Sequence, residues 1–425
     1  MRILIKKGRI LNPDKNEDFV GDILVENDII VKKASDINED ADEIIDADGC
    51  FVMPGLIDLH VHFRDPGFEY KETLKTGAEA AAKGGFTSVC TMPNTKPVMD
   101  SPERVREYVK RAEKEAVINV LPVGAVTIGQ NGEELTDIKG MKESGICAIS
   151  EDGKSVMNAE LYREAMKIAA ECGIPVMAHC EDKNMVNGGV MNESGASHRL
   201  GMKGISNAVE DVIVARDILI AKETGATLHL CHCSTKDSVR MTKAAKEDGL
   251  KVTAEVCPHH FTLCDEDIVK DDANYKMNPP LRAKEDVEAL KEGLKKNIMD
   301  VISTDHAPHS AEEKKKSISE SPFGIVGLET SVALTITELV SKGIITPLQM
   351  AEKMSYNPAK VLGIDKGTLN EGKTADITII NPEESYVIDS STFVSKGKNT
   401  PFNGYKVKGA VKYTICNGNV VYRYI

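Results

Sequence analysis

Histidine residues recur where apolar segments of the sequence end. His60 and His62 alternate with apolar residues in one such segment, so their imidazoles would project side by side from an extended strand and could bind one divalent ion. Further segments end in His179, His232 and His306. A lone histidine at a strand end is more often a satisfied core residue than a ligand, but recurrence at four strand ends favours a metal site.

Two aspartates complete this set. Asp305 ends the last apolar segment, and Asp152 lies in Glu151-Asp152-Gly153, where an acid pair before glycine is also typical of a turn. The six residues that we expect to bind metal are His60, His62, Asp152, His179, His232 and Asp305. Their nitrogen and oxygen atoms suit two ions of the Zn²⁺ type and exclude a soft thiolate site. Such a pair can share a hydroxide made from water and polarise a carbonyl. We therefore expect attack on an amide, ester or phosphoester, with Asp305 as the base that moves the proton.

Strand and helix signals alternate through the middle of the chain. The predicted strands cover residues 56–62, 87–92, 119–126, 146–150, 175–179, 227–232, 251–256 and 300–304. Helix start and stop residues lie between them, such as Ser101 before Pro102, and Asn158 and Gly173 at the two ends of one segment. Eight parallel βα units predict an α/β protein with a closed (β/α)8 barrel, whose active site lies at the carboxyl ends of the strands. A doubly wound open sheet is the alternative, but no Gly-x-Gly-x-x-Gly follows an early strand.

The two ends of the chain have a different sequence pattern from the middle. Residues 1–53 and 366–425 contain short alternating strands with turn residues, including the hairpin signal Asn417-Gly418. Neither end is long enough to bury a sheet by itself. We therefore expect both ends to form one small composite β-sandwich domain, with a catalytic barrel domain of residues 54–365 inserted between them.

Composition excludes several classes of partner. The 425 residues contain 53 Lys and Arg against 66 Asp and Glu, and the net charge of −13 argues against nucleic acid or an anionic membrane surface. No apolar run approaches the roughly 18 residues of a membrane span, and the first residues lack a secretory pattern, so we expect a cytoplasmic protein. The ten cysteines show no disulfide framework, and we expect Cys231 and Cys233 to be buried, reduced thiols.

Three motifs resemble those of the dihydroorotases, a family within the amidohydrolase superfamily. They are PGLIDLHVHFRDPG at residues 54–67, TMPNT at 91–95 and STDHAPH at 303–309, and residues 367–376 resemble the return of the superfamily's chain into its β-sandwich. The resemblance spans nearly the whole chain. It implies a binuclear metal enzyme, with zinc the expected metal and a bridging hydroxide. The reaction implied is the reversible cyclisation of N-carbamoyl-L-aspartate to L-dihydroorotate in pyrimidine biosynthesis.

The resemblance also assigns the metal ligands. The more buried ion would be bound by His60, His62 and Asp305, and the other by His179 and His232. In many relatives a carbamylated lysine on the fourth strand bridges the two ions.

This chain departs from the lysine pattern. Residues 146–152 contain no lysine, and the flanking Lys142 and Lys154 do not fit the strand position. The sequence matches the dihydroorotase type in which an aspartate bridges, so Asp152 takes that role, with Glu151 as the alternative.

A carboxylate substrate needs a fixed cation and hydrogen-bond donors. Arg64 offers a bidentate guanidinium, and Asn94 and His309 would add hydrogen bonds. The resemblance implies that Asn278 contacts the pyrimidine ring. For both asparagines, a role as a turn residue is the alternative.

A long polar loop, residues 310–326, follows the last predicted strand. It is either a solvated, mobile loop or a binding loop in which the backbone of Pro322, Phe323 and Gly324 faces the substrate. We expect Lys314-Lys315-Lys316, within this loop, to be solvated.

Two rival functions are weighed against this interpretation. A hydantoinase or allantoinase would cleave the same kind of cyclic amide, but the missing lysine and the pair Arg64 and Asn94 argue against it. A metal-free scaffold that binds aspartate transcarbamoylase should have lost ligands, whereas every expected ligand is present. The partner expectations are a small-molecule substrate, a homodimer and, besides activity, a complex with aspartate transcarbamoylase.

Overall fold

The computed structural model describes residues 1–424, and its strands fall into two large sheets and one short pair. In chain order the strands are β1 (Arg2–Asn12), β2 (Glu17–Glu26), β3 (Ile29–Ala34), β4 (Glu43–Asp46), β5 (Phe51–Pro54), β6 (Leu56–Val61), β7 (Phe86–Thr91), β8 (Asn119–Ala125), β9 (Ala148–Ser150), β10 (Val176–Ala178), β11 (Met191–Asn192), β12 (Gly204–Ile205), β13 (Leu228–Leu230), β14 (Val252–Val256), β15 (Val301–Ile302), β16 (Ile377–Val387), β17 (Lys406–Cys416) and β18 (Asn419–Arg423). The short pair is β11 and β12.

Helices separate the strands of the middle region. They are α1 (Leu74–Lys83), α2 (Pro102–Glu115), α3 (Ile138–Ser144), α4 (Ala159–Cys172), α5 (Lys183–Val186), α6 (Gly195–Leu200), α7 (Ala208–Thr224), α8 (Lys236–Glu247), α9 (Pro258–Thr262), α10 (Lys284–Lys295), α11 (Ala311–Lys314), α12 (Ser331–Thr335), α13 (Pro347–Ala351) and α14 (Asn357–Leu362). Two π-helical turns, Ile336–Val340 and Glu352–Tyr356, continue α12 and join α13 to α14. The predicted caps are confirmed, because the Ser101 side chain accepts from a backbone N–H of α2 and Asn158 does the same for α4. No helix within residues 1–424 is long and apolar enough to cross a membrane.

Eight strands form a parallel barrel sheet, in the order β15-β14-β13-β10-β9-β8-β7-β6. The first and last strands meet through a parallel bridge between Val61 and His306, where the His62 N–H donates to the His306 carbonyl. The predicted (β/α)8 barrel is therefore confirmed. All eight predicted strands are present, but most are shorter than predicted at their carboxyl ends because the backbone leaves the ladder there.

Both ends of the chain contribute to one further sheet. Its order is β18-β17-β16-β5-β1-β2-β3, with β4 paired to β1. Strands β5 and β16 join the two ends, since Val52 pairs with Ile379 in antiparallel register. This sheet encloses its own apolar core, which includes Ile10, Ile23 and Ile377, and the barrel has a separate and larger core. Apolar faces on both sides thus hold the barrel and the terminal sheet in place.

Candidate active site

The six predicted metal ligands converge at the carboxyl ends of the barrel strands. Asp152 lies at the centre, with Oδ1 at 3.2 Å from His60 Nε2, 3.4 Å from His179 Nδ1 and 3.7 Å from His232 Nε2. Asp305 Oδ1 lies 3.1 Å from His62 Nε2 and 3.6 Å from His60 Nε2. All six residues are buried, so residues far apart in sequence form one polar cluster inside the barrel mouth.

The backbone explains how the strand ends deliver these side chains. His60 lies on β6 and His62 follows it, and alternation along the extended backbone places both on the inner face. Three residues that follow strands have positive φ angles: Arg64 at 60°, His232 at 34° and Asp305 at 49°. L-residues seldom adopt this region, and such conformations cluster at functional sites, where the surrounding structure holds them.

The side chains of the neighbouring acids Glu151 and Asp152 lie in different surroundings. The Glu151 carboxylate accepts hydrogen bonds from the backbone N–H groups of Val126 and Thr127, each at 3.1 Å, and from the Thr127 hydroxyl. Asp152 is the acid that lies among the histidines. The flanking Lys154 is exposed. Geometry therefore favours Asp152 over Glu151 as the acid shared by the histidines.

Charge is concentrated in this cluster. Burial by itself would raise the pKa of the Asp152 carboxyl, but His60, His179 and His232 hold that pKa well below its usual range. Burial would lower the pKa of His179, yet Asp152 and Glu181 raise it to about 10. The carboxylates thus favour protons on His60 and His179, and a divalent cation would compete for the same nitrogen atoms.

The donor set fits divalent metal ions. Two sets of three ligand atoms, His60/His62/Asp305 and His60/Asp152/His232, each lie within 4.8 Å of one another. Among the described residues, His60 Nε2 is one of the buried side-chain atoms without a hydrogen-bond partner, and it faces Asp152 and Asp305. Buried polar atoms are almost always satisfied, so this atom indicates a ligand. Imidazole and carboxylate donors suit Zn²⁺ and similar cations.

Comparison with known proteins identifies relatives that match this chain over its whole length and are named dihydroorotase. A family model described as "Dihydro-orotase-like" matches residues 49–238. The "Dihydroorotase" of Pelotomaculum thermopropionicum is 51% identical over 421 residues, which cover 99% of this chain and 98% of that protein. The "Dihydroorotase" of Bacillus cytotoxicus is 48% identical over 423 residues, covering 100% of this chain and 99% of that protein.

The chain belongs to the dihydroorotase family. It is accordingly an enzyme, a cyclic amidohydrolase, and the predicted family is confirmed. Among solved structures, the "L-Hydantoinase (Dihydropyrimidinase)" of Arthrobacter aurescens has a TM-score of 0.89 at 28% identity, covering 99% of this chain and 96% of that one. This chain and that hydantoinase thus share one overall fold.

Two acids outside the predicted set contact the histidines of the site. Glu255 on β14 lies between two imidazoles, with its carboxylate oxygens 3.0 Å from His60 Nδ1 and 3.0 Å from His229 Nε2. Glu181 Oε2 lies 3.4 Å from His179 Nε2. A carboxylate on the second ring nitrogen fixes the orientation of an imidazole ligand and raises its basicity. The sequence signal that could have indicated Glu255 is an acidic residue within the predicted strand 251–256.

Arg64 and Asn94 lie directly above the cluster. The Asn94 side chain bridges two predicted ligands, with Oδ1 2.9 Å from His62 Nδ1 and Nδ2 donating to Asp152 Oδ2 at 3.1 Å. Arg64 is partly buried, and its Nε donates to the Pro308 carbonyl at 3.2 Å. Asn94 therefore orients ligands as well as facing the cavity, while the Arg64 guanidinium is anchored at one nitrogen.

A cavity of about 170 Å³ connects this site to solvent. Its lining includes His62, Arg64, Asn94, Asp152, His179, His232, Asn278, Asp305, Phe323 and Gly324. Asn278 Nδ2 donates to Glu181 Oε1 at 2.9 Å. Gly324 has φ +125°, and a Cβ there would lie 2.6 Å from the Ala307 side chain, so only glycine fits this approach.

The loop of residues 310–326 is attached to the barrel by side chains. His309 Nε2 lies 2.8 Å from the Phe323 carbonyl. The Lys314 ammonium donates to three backbone carbonyls, at 2.9 Å to Ala273, 3.2 Å to Lys276 and 3.0 Å to Pro322. The prediction of a solvated Lys314 is therefore wrong, because the long side chain folds back under the loop. The prediction holds for Lys315 and Lys316, which are exposed.

Proposed function

We propose that this chain catalyses the reversible cyclisation of N-carbamoyl-L-aspartate to L-dihydroorotate in pyrimidine biosynthesis. The observation that carries the proposal is the buried His and Asp cluster with Arg64 at its mouth, in a chain about half identical to proteins named dihydroorotase. An imidazole and carboxylate cluster suits hydrolysis and its reversal, and a guanidinium suits a substrate that carries a carboxylate.

Two divalent ions, most simply Zn²⁺, are proposed at the cluster. His60, His62 and Asp305 would hold one and His179 and His232 the other, with Asp152 between them. Bound there, the ions would lower the pKa of water and polarise the amide carbonyl. The support is the two sets of ligand atoms, each within 4.8 Å of one another, and the unpartnered His60 Nε2 that faces Asp152 and Asp305.

Asp305 is proposed as the group that moves the proton. Burial by itself would raise the pKa of its carboxyl, but His62 and His60 lower that pKa, so the carboxylate is ionised and ready to accept. In hydrolysis it would take the proton of the attacking water and return it to the departing ring nitrogen. In cyclisation the same carboxylate would take a proton from the attacking carbamoyl nitrogen and give it to the departing oxygen, by microscopic reversibility.

Substrate recognition is proposed for the rim of the cavity. The Arg64 guanidinium would bind the carboxylate and Asn94 would add hydrogen bonds, whereas His309, for which the sequence predicts the same role, has both ring nitrogens in contact with Lys71 and the Phe323 carbonyl. Asn278 would contact the ring, with its amide oriented by Glu181. The backbone of Phe323 and Gly324 borders the cavity, whereas the Pro322 carbonyl accepts from Lys314.

Turnover of dihydroorotate, hydantoin and allantoin, measured side by side, tests this function. We expect dihydroorotate to be preferred, because Arg64 needs a carboxylate that hydantoin and allantoin lack. A clear preference for either of the other two rings would refute the proposal. If the Asp152→Asn variant binds metal and turns over dihydroorotate like the wild type, the proposed bridging role of Asp152 is refuted.

The same proposal extends to chain organisation. Residues 1–53 and 366–425 would form one domain and residues 54–365 the catalytic domain, which is supported by the separate apolar cores. A homodimer, a complex with aspartate transcarbamoylase and a cytoplasmic location stay predictions. Analytical ultracentrifugation of the chain, alone and with aspartate transcarbamoylase, tests the first two.

A further inference from the structure

A chain of hydrogen-bonding groups runs beneath the rim of the cavity and has no part in the chemistry described so far. Glu313 Oε1 lies 2.9 Å from Lys71 Nζ, and Lys71 Nζ lies 3.2 Å from His309 Nδ1. On the opposite side of the ring, His309 Nε2 lies 2.8 Å from the Phe323 carbonyl. The Lys71 side chain is only 12% exposed, so these contacts are shielded from solvent.

The chemistry of the groups fixes where the His309 proton lies. An ammonium can only donate, so His309 Nδ1 must be the acceptor from Lys71. A carbonyl can only accept, so Nε2 must carry the hydrogen that reaches Phe323. Burial lowers the pKa of His309, and the nearby Arg64, Lys71 and Lys314 lower it further, which agrees with a neutral ring.

This tautomer has a consequence for Arg64. Arg64 Nη2 lies 3.4 Å from His309 Nε2. Because both atoms carry hydrogen, neither can accept from the other, and the guanidinium makes no bond to the imidazole. Arg64 Nε is already engaged by the Pro308 carbonyl, so the edge formed by Nη1 and Nη2 stays free for a carboxylate.

With the other tautomer, the His309 imidazole would bind that edge of the Arg64 guanidinium. With hydrogen on Nδ1, the Nε2 lone pair would accept from Arg64 Nη2 and would oppose the Phe323 carbonyl, an acceptor facing an acceptor. The guanidinium would be bound to the imidazole in competition with substrate, and the segment around Phe323 and Gly324 would shift.

We propose that Lys71 is a positioning residue for substrate recognition: it holds His309 in the Nε2–H form and so keeps Arg64 free for the substrate carboxylate. This inference rests on the proposed function of Arg64. Lys71 acts through His309 and touches no reacting atom. Glu313 supports it by holding the ammonium against the ring.

The tautomer can be measured directly in the wild-type enzyme. Long-range ¹H–¹⁵N spectra of histidine-labelled protein, with the His309 signals assigned by their loss in His309→Asn, report which ring nitrogen is protonated. We expect a neutral ring with hydrogen on Nε2. Hydrogen on Nδ1, or a charged ring at neutral pH, would overturn the inference without any need for a Lys71 variant.

Steady-state kinetics test the consequence for binding. Lys71→Met keeps the length of the side chain but cannot donate, so we expect KM for dihydroorotate to rise about tenfold, or about 1.4 kcal/mol, with kcat within about twofold. Lys71→Arg still only donates and should restore KM. Lys75→Met is the matched control, because Lys75 is 69% exposed on the same segment, and its kinetics should not change.

The outcomes separate this inference from the proposed function. If folded Lys71→Met has the KM of the wild type, or if its kcat falls as much as its KM rises, the positioning role is overturned. Turnover of dihydroorotate by the wild type would still support the proposed function. A wild type that does not turn over dihydroorotate would refute the proposed function instead, and the spectra would still decide the tautomer. If Lys71→Met does not fold, Glu313→Gln takes its place, with a smaller rise in KM expected.

Discussion

The base and the mouth of the cavity are built on opposite principles. At the base, strand ends bring imidazoles and carboxylates together, and Asp152 holds three histidines around it. At the mouth, loops bring cations together, with Arg64 and Lys314 bound to carbonyls and Lys71 to Glu313 and His309. The base is suited to cations and proton transfer, and the mouth to an anionic substrate. Substitutions at the base should therefore change kcat and metal content, and those at the mouth should change KM.

The largest effect is expected at the base, for Asp305→Asn. Removing the proposed proton acceptor should lower kcat by about 10³-fold, within the range of general acid–base catalysis, with a smaller change in KM. Steady-state rates with dihydroorotate measure it, and Asp365→Asn, an exposed aspartate, is the control. A kcat within tenfold of the wild type would separate Asp305 from the chemistry.

A second effect at the base concerns Glu255, which touches no substrate. Glu255→Gln weakens the acceptor on His60 Nδ1, so metal affinity should fall about 10- to 100-fold, as for other carboxylates behind imidazole ligands. Competition with a chelator, followed by metal analysis, measures it. Unchanged affinity would show that His60 is oriented without Glu255.

At the mouth, Arg64→Met should raise KM for dihydroorotate. A charged hydrogen bond is worth about 1.5–3 kcal/mol, so a rise of about 10- to 100-fold is expected with kcat little changed. Arg64→Lys should recover only part of it, because an ammonium cannot form the bidentate contact. If Arg64→Met lowered kcat alone, the division between base and mouth would fail.

The smallest effects are expected for substitutions of two adjacent lysines of the loop, Lys314 and Lys315. Lys314→Met removes a donor from three carbonyls, of which those of Ala273 and Lys276 keep a backbone donor, and should lower the free energy of unfolding by about 1–3 kcal/mol, with a few-fold rise in KM. Lys315→Met, at an exposed position, should change it by less than about 0.5 kcal/mol. Denaturant titrations measure both. Equal effects would mean that Lys314 does not hold the loop.

The contrast between the base and the mouth of the cavity also explains which residues the sequence could predict. His60, His62 and Asp305 were readable because strand alternation and the end of a strand fix their direction locally. Glu255 lies in a predicted strand as well, but its contact with His60 joins positions 195 residues apart, and no local pattern encodes that. Lys71 and Lys314 belong to loops, where the partners are backbone carbonyls and ring nitrogens brought near by tertiary packing.

Strand lengths show a related limit. Alternation predicted the strand over 227–232, whereas β13 spans Leu228–Leu230. His232 has φ +34°, so the backbone leaves the ladder before it reaches the predicted ligand. This turn is imposed by packing in the barrel mouth, and the residue types alone do not reveal it.

Metal content measured together with activity tests the central claim most directly. The claim is that the six clustered residues hold two divalent ions that the reaction requires. We predict close to two ions per chain in the active enzyme, loss of dihydroorotate turnover on chelation, and recovery of both when divalent metal is returned. Full turnover by chains from which all metal has been removed would contradict it.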